Sequence, residues 1–351
     1  MWRYNSKMLS QFLEADDEYK KIIDHRSNIV CPYDGIHFYS ESMITHKFQS
    51  IIDPAGYWQP NYKQGKLFYN HFISLPLFRI QWEKRFVDIP SVIIRINPDK
   101  NNLTPLQVLD LLKYLVGDLR QVRVAKWDEK VDTDKYNVDE VLERLYKGYQ
   151  RVKPNDYDDL GETFYFGKRN GQQVKVYDKS NEQGFGEGQL TRIEKTRVLG
   201  KGKRPTATQF LLNMRHDLFK HVNLLDIEKL DGRSKIMRLL KQDGVFMDAF
   251  RKLTRAEKLR VKREDAFKNP SIDLRSIAEG QLRKWLNKTP LLSIKAIMYS
   301  IHGQPYNFHS RFSGALHVVS SIPNSVLQKI NVELNQNTTS NNFEGDLFVV
   351  S

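Results

Sequence analysis

Residues 162–197 read "ETFYFGKRNGQQVKVYDKSNEQGFGEGQLTRIEKTR". Apolar and polar side chains alternate in "ETFYFGKR", in "QQVKVYDKS" and again in "QLTRIEKTRVL", the period-two pattern of strands with one buried face. Asn170-Gly171, between the first two, is a dipeptide of tight hairpin turns. On the second strand Val174 and Val176 share one face, and Lys175, Tyr177 and Lys179 share the other. A strand tyrosine ordinarily packs with its hydroxyl at the rim. Here its neighbours on the face are lysines, so that face is polar and basic. A phenol with a pKa near 10 is a poor nucleophile at neutral pH, and nearby cations or a metal-bound phosphate would help it attack phosphorus. A packing role and a chemical role both fit these residues.

Working outward, "DGIHFYSES", "KLFYNHFISL", "LFRIQWEK" and "PSVIIRINPDK" are rich in aromatic and β-branched residues and are separated by Pro, Gly and Asn. Residues 1–27 read as exposed helix. "LTPLQVLDLLKYLVGDL" spaces its apolar residues at three and four, with Thr104 as N-cap and Pro105 at the first helical position. "RQVRVAKWDEKVDTDKY" follows as a strand, and "NVDEVLERLYKGYQRV" as a helix opened by Asn137. Runs of strands split by two helices predict an α+β fold with a central antiparallel sheet. Past Pro205 the pattern becomes helical in "ATQFLLNMRHDLFKHV", "GRSKIMRLLKQDGVFMDAFRKL", "RAEKLRVKREDAF" and "DLRSIAEGQLRKWL", where Thr254 and Glu257 form a capping pair. This divides the chain into an α+β domain over 1–203, a basic helical region over 204–300 and a C-terminal extension over 301–351. The extension carries an Asn/Thr/Ser-rich mobile loop and a closing "DLFVV" that reads as an edge strand.

With 351 residues, 40% of them hydrophobic, the chain can bury a substantial core. The single cysteine, Cys31, excludes an internal disulfide and suits a reducing compartment. No stretch reaches the roughly 18 apolar residues of a membrane span, and the N-terminus lacks signal-peptide character, so the expected location is the cytoplasm with no membrane partner. Residues 191–290 hold 25 Lys and Arg against 12 Asp and Glu, which is the whole of the +13 net charge. A basic field confined to one section is the footprint of a polyanion binder, or else a solvated helical surface.

"GFGEG" neither closes a strand with dinucleotide-type glycine spacing nor opens a helix, and "GKGKR" lacks phosphate-loop order, so no nucleotide cofactor is indicated. His216 and His221 are five apart, on different helical faces, and no H-E-x-x-H occurs. In "VAKWDEKVDTD", Asp128 and Asp132 point to one face of a strand. Two acids there are costly if buried, and either solvent at an edge or a divalent cation would relieve them.

"TFYFGKR", then "VKVYDKSNE", then "TRIEKT" resembles, in order and spacing, the signature of the rolling-circle replication initiators of plasmids, integrative elements and filamentous phages. In that family an "R-x-Y-[DN]-K-x-x-E" strand is followed by an "R-[IF]-E" strand. Upstream, Lys126, Asp128 and Asp132 in "VAKWDEKVD" are similar to its "R-I-D-x-x-x-D" strand. The likeness covers roughly residues 120–200. It implies a divergent HUH-endonuclease-like sheet that cuts one DNA strand with a tyrosine and Mg²⁺ or Mn²⁺. By position, Tyr177 is then the nucleophile and Lys179 the basic residue beside it. Asp128 and Glu194 are the acids facing the metal, with Asp132 a further candidate. Lys175, Arg192 and Lys195 would contact DNA. Two departures stand out: the His-hydrophobe-His pair is absent, and Lys175 replaces an arginine.

The function implied is a replication initiator that binds an origin as duplex and single strand, then nicks and religates it through a covalent phosphotyrosine. Host helicase and polymerase would be its further partners. Its basic helices would hold the duplex through Arg255, Lys258 and Lys262, which share one face of the helix capped by Thr254. Tyr165, Tyr146 and Tyr149 are the alternative nucleophiles. The competing readings are a non-catalytic, sequence-specific DNA-binding regulator and an RNA-binding or structural module.

Overall fold

The computed structural model describes residues 13–24, 30–55, 68–148, 163–167, 172–180, 190–212 and 216–288. Its centre is an eight-stranded sheet made of β1 (Tyr33–Ser40), β2 (Tyr69–Ser74), β3 (Phe78–Lys84), β4 (Val92–Ile96), β5 (Val122–Thr133), β7 (Phe164–Gly167), β8 (Gln173–Asp178) and β9 (Thr191–Val198). The spatial order is β2-β3-β4-β1-β5-β9-β8-β7, with every neighbouring pair antiparallel. The fold is therefore α+β with a large antiparallel sheet, as the alternation of the strands predicts. A second sheet pairs β6 (Leu145–Lys147) with β10 (Val222–Leu224).

The pleat divides the large sheet chemically. Ile36, Phe38, Ile80, Ile94, Val124, Val131, Ile193, Val174 and Val176 are wholly buried on one face. Helices cover that face. Helix α1 (Asp17–Asp24) precedes the sheet, and α2 (His46–Ala55) places Phe48 against Phe78 with ring centres 5.9 Å apart. Helix α3 (Pro105–Val116) begins at Thr104, whose side chain and that of Gln107 cap each other's backbone. The other face carries charged and polar residues of β5, β8 and β9, and it holds the candidate site.

The segment read as one helix from Asn137 is shorter. Asn137 and Glu140 form the capping box of α4 (Val138–Arg144), but the chain then turns extended into β6. Past Pro205 the helices are α5 (Ala207–Leu211), α6 (Lys235–Asp243), α7 (Phe246–Arg251), α8 (Arg255–Val261), α9 (Asp265–Lys268) and α10 (Leu274–Asn287). The long helix expected over 232–253 breaks into α6 and α7 because Gly244 takes a left-handed conformation, φ 66°, that closes α6. "ATQFLLNMRHDLFKHV" supplies α5 and, at its end, the first residue of β10.

A division of the chain was expected near residue 203, yet the helices beyond it share the core of the sheet. The described residues on both sides of that point belong to one compact unit. Trp285 of α10 is wholly buried, its ring 5.6 Å from that of Tyr33 on β1, and its indole N–H donates to Leu103 O at 2.8 Å. Phe210 of α5 packs on Tyr33 and on Trp127 of β5. No helix among the described residues is long and apolar enough to cross a membrane. The expected Asn170-Gly171 turn, "GFGEG", Tyr149 and the C-terminal extension lie outside the described residues.

Candidate active site

Strand register assembles the site. On β9, Arg192 and Glu194 share a face, opposite Tyr177 and Lys175 of β8 on one side and opposite Asp132 and Lys130 of β5 on the other. Asp128 stands opposite Thr196. Three adjacent strands thus bring Tyr177, Lys175, Arg192, Glu194, Asp132 and Asp128 onto one surface, as the alternation predicts.

The contacts are charge-assisted throughout. The Tyr177 hydroxyl donates to Glu194 Oε1 at 2.5 Å, and Lys175 Nζ donates to Glu194 Oε2 at 2.9 Å. Glu194 is only 3% exposed, so both oxygens are held away from bulk water. Burial, then the charge of Glu194 and its hydrogen bond, push the Tyr177 phenol above its ordinary range, which keeps it protonated at neutral pH. Arg192 grips Asp132 with two parallel bonds of 2.5 and 2.7 Å, and its third nitrogen reaches Asp34 Oδ1 at 3.1 Å. Burial would raise the Asp132 carboxyl, but the Arg192 bonds hold it below its ordinary value. Asp34 is raised, by burial and by Glu194.

Asp128, 3% exposed, accepts from Thr196 Oγ1 at 2.5 Å and lies 3.9 Å from Lys126 Nζ. The Arg95 guanidinium and Asp128 Oδ2 crowd the space over Gly35, where a Cβ would sit 3.4 and 3.6 Å from them. Lys130 lies between Asp99 at 2.5 Å and Asp132 at 3.5 Å. The cost of burying Asp128 and Asp132 is therefore met by cations and hydroxyls on the same face. β5 is an inner strand, so edge exposure does not explain them.

This bears on the expected metal. Hard divalent cations take several carboxylate or carbonyl oxygens at once. Here Glu194, Asp132 and Asp128 are each engaged by a cation or a hydroxyl. Among the described residues, no three His, Cys, Asp or Glu side chains are grouped so as to hold a metal ion. As arranged, the donor set among the described residues does not fit Mg²⁺ or Mn²⁺.

No family model matches the chain, and no curated protein matches it in sequence. Among solved structures, a rolling circle replication initiator protein from Geobacillus stearothermophilus is similar, at a TM-score of 0.38 and 12% identity over 71% of this chain and 95% of that one. A TM-score of that size carries no weight alone, and the functional reading below stands on the residues.

One sequence-predicted residue falls elsewhere. Lys195, grouped with Arg192 as a DNA contact, is on the opposite face and 1% exposed, because adjacent strand residues point to opposite sides. It lies 3.6 Å from Glu129, which is wholly buried and also accepts from Trp127 Nε1 at 3.1 Å and from the Phe219 N–H at 2.6 Å. Lys179 follows the end of β8; its side chain is buried and its N–H donates to Leu190 O at 2.8 Å.

Of the alternative tyrosines, Tyr165 stands opposite Lys175 on the edge strand β7. Tyr146 packs among Phe246, Phe250 and Phe267, away from the acids. Arg255 of α8 and Lys262, its C-cap, are exposed, whereas Lys258 Nζ donates to Arg251 O at 3.0 Å. Lys262 Nζ also stands over the Tyr146 and Phe250 rings, so the expected basic face partly covers an aromatic cluster. Asp34, Lys130 and Thr196 were not foreseen. Lys130 had a signal, lying between Asp128 and Asp132 at period two; Asp34 had none, since Arg192 is far along the chain.

Proposed function

We propose that the chain is a replication initiator that nicks and rejoins one DNA strand through Tyr177. The observation that carries this reading is the Tyr177–Glu194 hydrogen bond, with Lys175 on the same carboxylate and Arg192 on the adjacent strand position. Glu194 is placed to take the phenolic proton, and cations stand where phosphate charge would arrive. In the step proposed, the Tyr177 oxygen bonds to phosphorus as the P–O3′ bond breaks. The phenolic proton passes to Glu194, and the departing 3′-oxygen takes a proton from solvent. The product is a 5′-phosphotyrosine and a free 3′-hydroxyl that can prime synthesis. Reversal by a 3′-hydroxyl rejoins the strand without a nucleotide cofactor, because the ester preserves the bond energy.

No step is routed through a metal, since the donor set does not fit one as arranged. Relaxation of a supercoiled plasmid carrying the cognate origin tests the reading, run with Mg²⁺, with Mn²⁺ and with EDTA. Relaxation together with a covalent adduct at Tyr177 is expected. Equal relaxation in EDTA is the expected result, and relaxation only with Mg²⁺ or Mn²⁺ overturns the metal-free form of the proposal. One observation favours the second reading, a DNA-binding regulator without catalysis: Tyr177 is held protonated in a lattice where every acid is paired. That reading predicts origin binding with no relaxation under any condition.

A further inference from the structure

A groove of about 710 Å³ opens beside the sheet, far from Tyr177. Its floor is Tyr39 of β1, Ile93 of β4 and Gln81 of β3, which stand in register across three adjacent strands. The pairing of Tyr39 with Arg123, and of His37 with both Lys126 and Arg95, puts this floor on the same sheet face as Lys126, Asp128 and Tyr177. Phe68 forms a wall. It is 47% exposed and packs on Phe86, 42% exposed, with ring centres 5.7 Å apart. From the segment after β9, Arg204 lays its guanidinium 4.7 Å over the Tyr39 ring, and Lys201 lines the same side. Of the two acids at the groove, Glu41 lies 3.6 Å from Lys84, leaving Asp88 at the rim.

Exposed aromatic rings beside cations are what a single nucleic-acid strand uses, since bases stack on the rings while Lys and Arg follow the phosphates. A duplex cannot use such rings without unstacking its own bases. We propose that this groove is a base-stacking subsite for an unpaired nucleotide of a DNA strand. The subsite rests on the functional reading above and deepens it by placing a second anchor on the strand. Along β5 the groove and Tyr177 are separated by the run from Arg123 to Asp132, about 30 Å at about 3.3 Å per residue. Lys126 and Arg95 lie on the face between them. A strand crossing it would be held at both ends, and the scissile phosphate would be set at a fixed distance from the stacked base.

The test compares two fluorescent strands by anisotropy with the full chain: a thymidine homopolymer of about 16 nucleotides and an abasic strand with the same number of phosphates. The wild type is expected to prefer the thymidine strand by about tenfold, within the range for one or two stacked bases. Phe68→Ala should erase most of that preference and Phe68→Trp should keep it. Arg204→Gln should weaken both strands and flatten the salt dependence by roughly 0.7 per lost phosphate contact. An equal preference in wild type and Phe68→Ala overturns the subsite. Covalent adduct formation at Tyr177, scored separately, distinguishes the two proposals. An adduct without base preference removes the subsite alone. A preference that Phe68→Ala abolishes, in a protein that forms no adduct, keeps the subsite and removes the nicking reading.

Discussion

Replacing Tyr177 with phenylalanine removes one oxygen and leaves the ring. The lost bond is an O–H···O⁻ contact of 2.5 Å in which Glu194, 3% exposed, is the acceptor. Hydrogen bonds to charged groups contribute about 1.5–3 kcal/mol. Glu194 keeps Lys175 at 2.9 Å, so its charge is not left bare and the loss belongs in the lower half of that range, about 2 kcal/mol. In urea, with an unfolding slope of about 3 kcal/mol/M, the midpoint should fall by about 0.7 M. A cycle of Tyr177→Phe, Glu194→Gln and the double variant isolates the pair, with a coupling of about 1–2 kcal/mol expected. On a denaturing gel the covalent DNA adduct should vanish in Tyr177→Phe, while duplex affinity stays within about twofold. A coupling below about 0.5 kcal/mol means that the two groups do not bond in solution, and the basis for Glu194 as proton acceptor falls. An adduct that persists moves the nucleophile to one of the alternatives, Tyr165, Tyr146 or Tyr149.

Lys195→Met should destabilise the fold by about 3 kcal/mol, because it strips a partner from buried Glu129, and it should leave DNA affinity unchanged. Normal urea stability with weakened DNA binding would return Lys195 to the binding face. Asp132→Asn should flatten the acid limb of stability. The depressed folded carboxyl contributes fully above its unfolded pKa of about 3.9 and loses that contribution as pH falls through the lower folded value. Asp34, raised in the fold, works in the opposite sense and shares Arg192 with Asp132, so an Asp34→Asn variant and the double variant are needed to separate the two. On α8 and just past its end, Arg255, Arg260 and Arg263 are exposed, and their replacement by Gln should reduce the salt slope of duplex binding by roughly 0.9 per lost phosphate contact. Replacing Lys258 and Lys262 should change stability more than slope, since these two pack on the aromatic cluster; an equal loss of slope contradicts that division.

Local periodicity made much of this molecule legible. The sheet strands announce themselves by alternation, and Thr104, Asn137 and Thr254 cap the helices that their sequences promise. The same rule put Tyr177 with Lys175, and Asp128 with Asp132. It also separates Lys195 from Glu194, so grouping Lys195 with Arg192 neglected the pleat. Beyond one strand the signals fade. The three-residue strands β6 and β10 are too short to show a period, and their pairing depends on aromatic packing by α7 and α9. The expected division near residue 203 followed a change of texture from strand to helix. Texture does not reveal that Trp285 reaches back to Leu103 and Tyr33.

The least legible feature is the balance of charge at the site, and it has a chemical consequence. Lys175, Arg192, Lys130 and Lys126 each face an acid, so the surface that would receive phosphate is internally compensated. A phosphate entering this lattice must compete with carboxylates for the same cations. Arg192 is held by two bonds to Asp132 and a third to Asp34, and a guanidinium so engaged positions its neighbours more readily than it releases its partners. Lys175 has a single carboxylate contact and is partly exposed, so it can turn to a phosphate at lower cost. When it turns, the Glu194 carboxylate would lose the cation it shares with the Tyr177 hydroxyl. Phosphate arrival and the change at the Tyr177–Glu194 pair would thereby be one event, and Lys175 the residue that couples them.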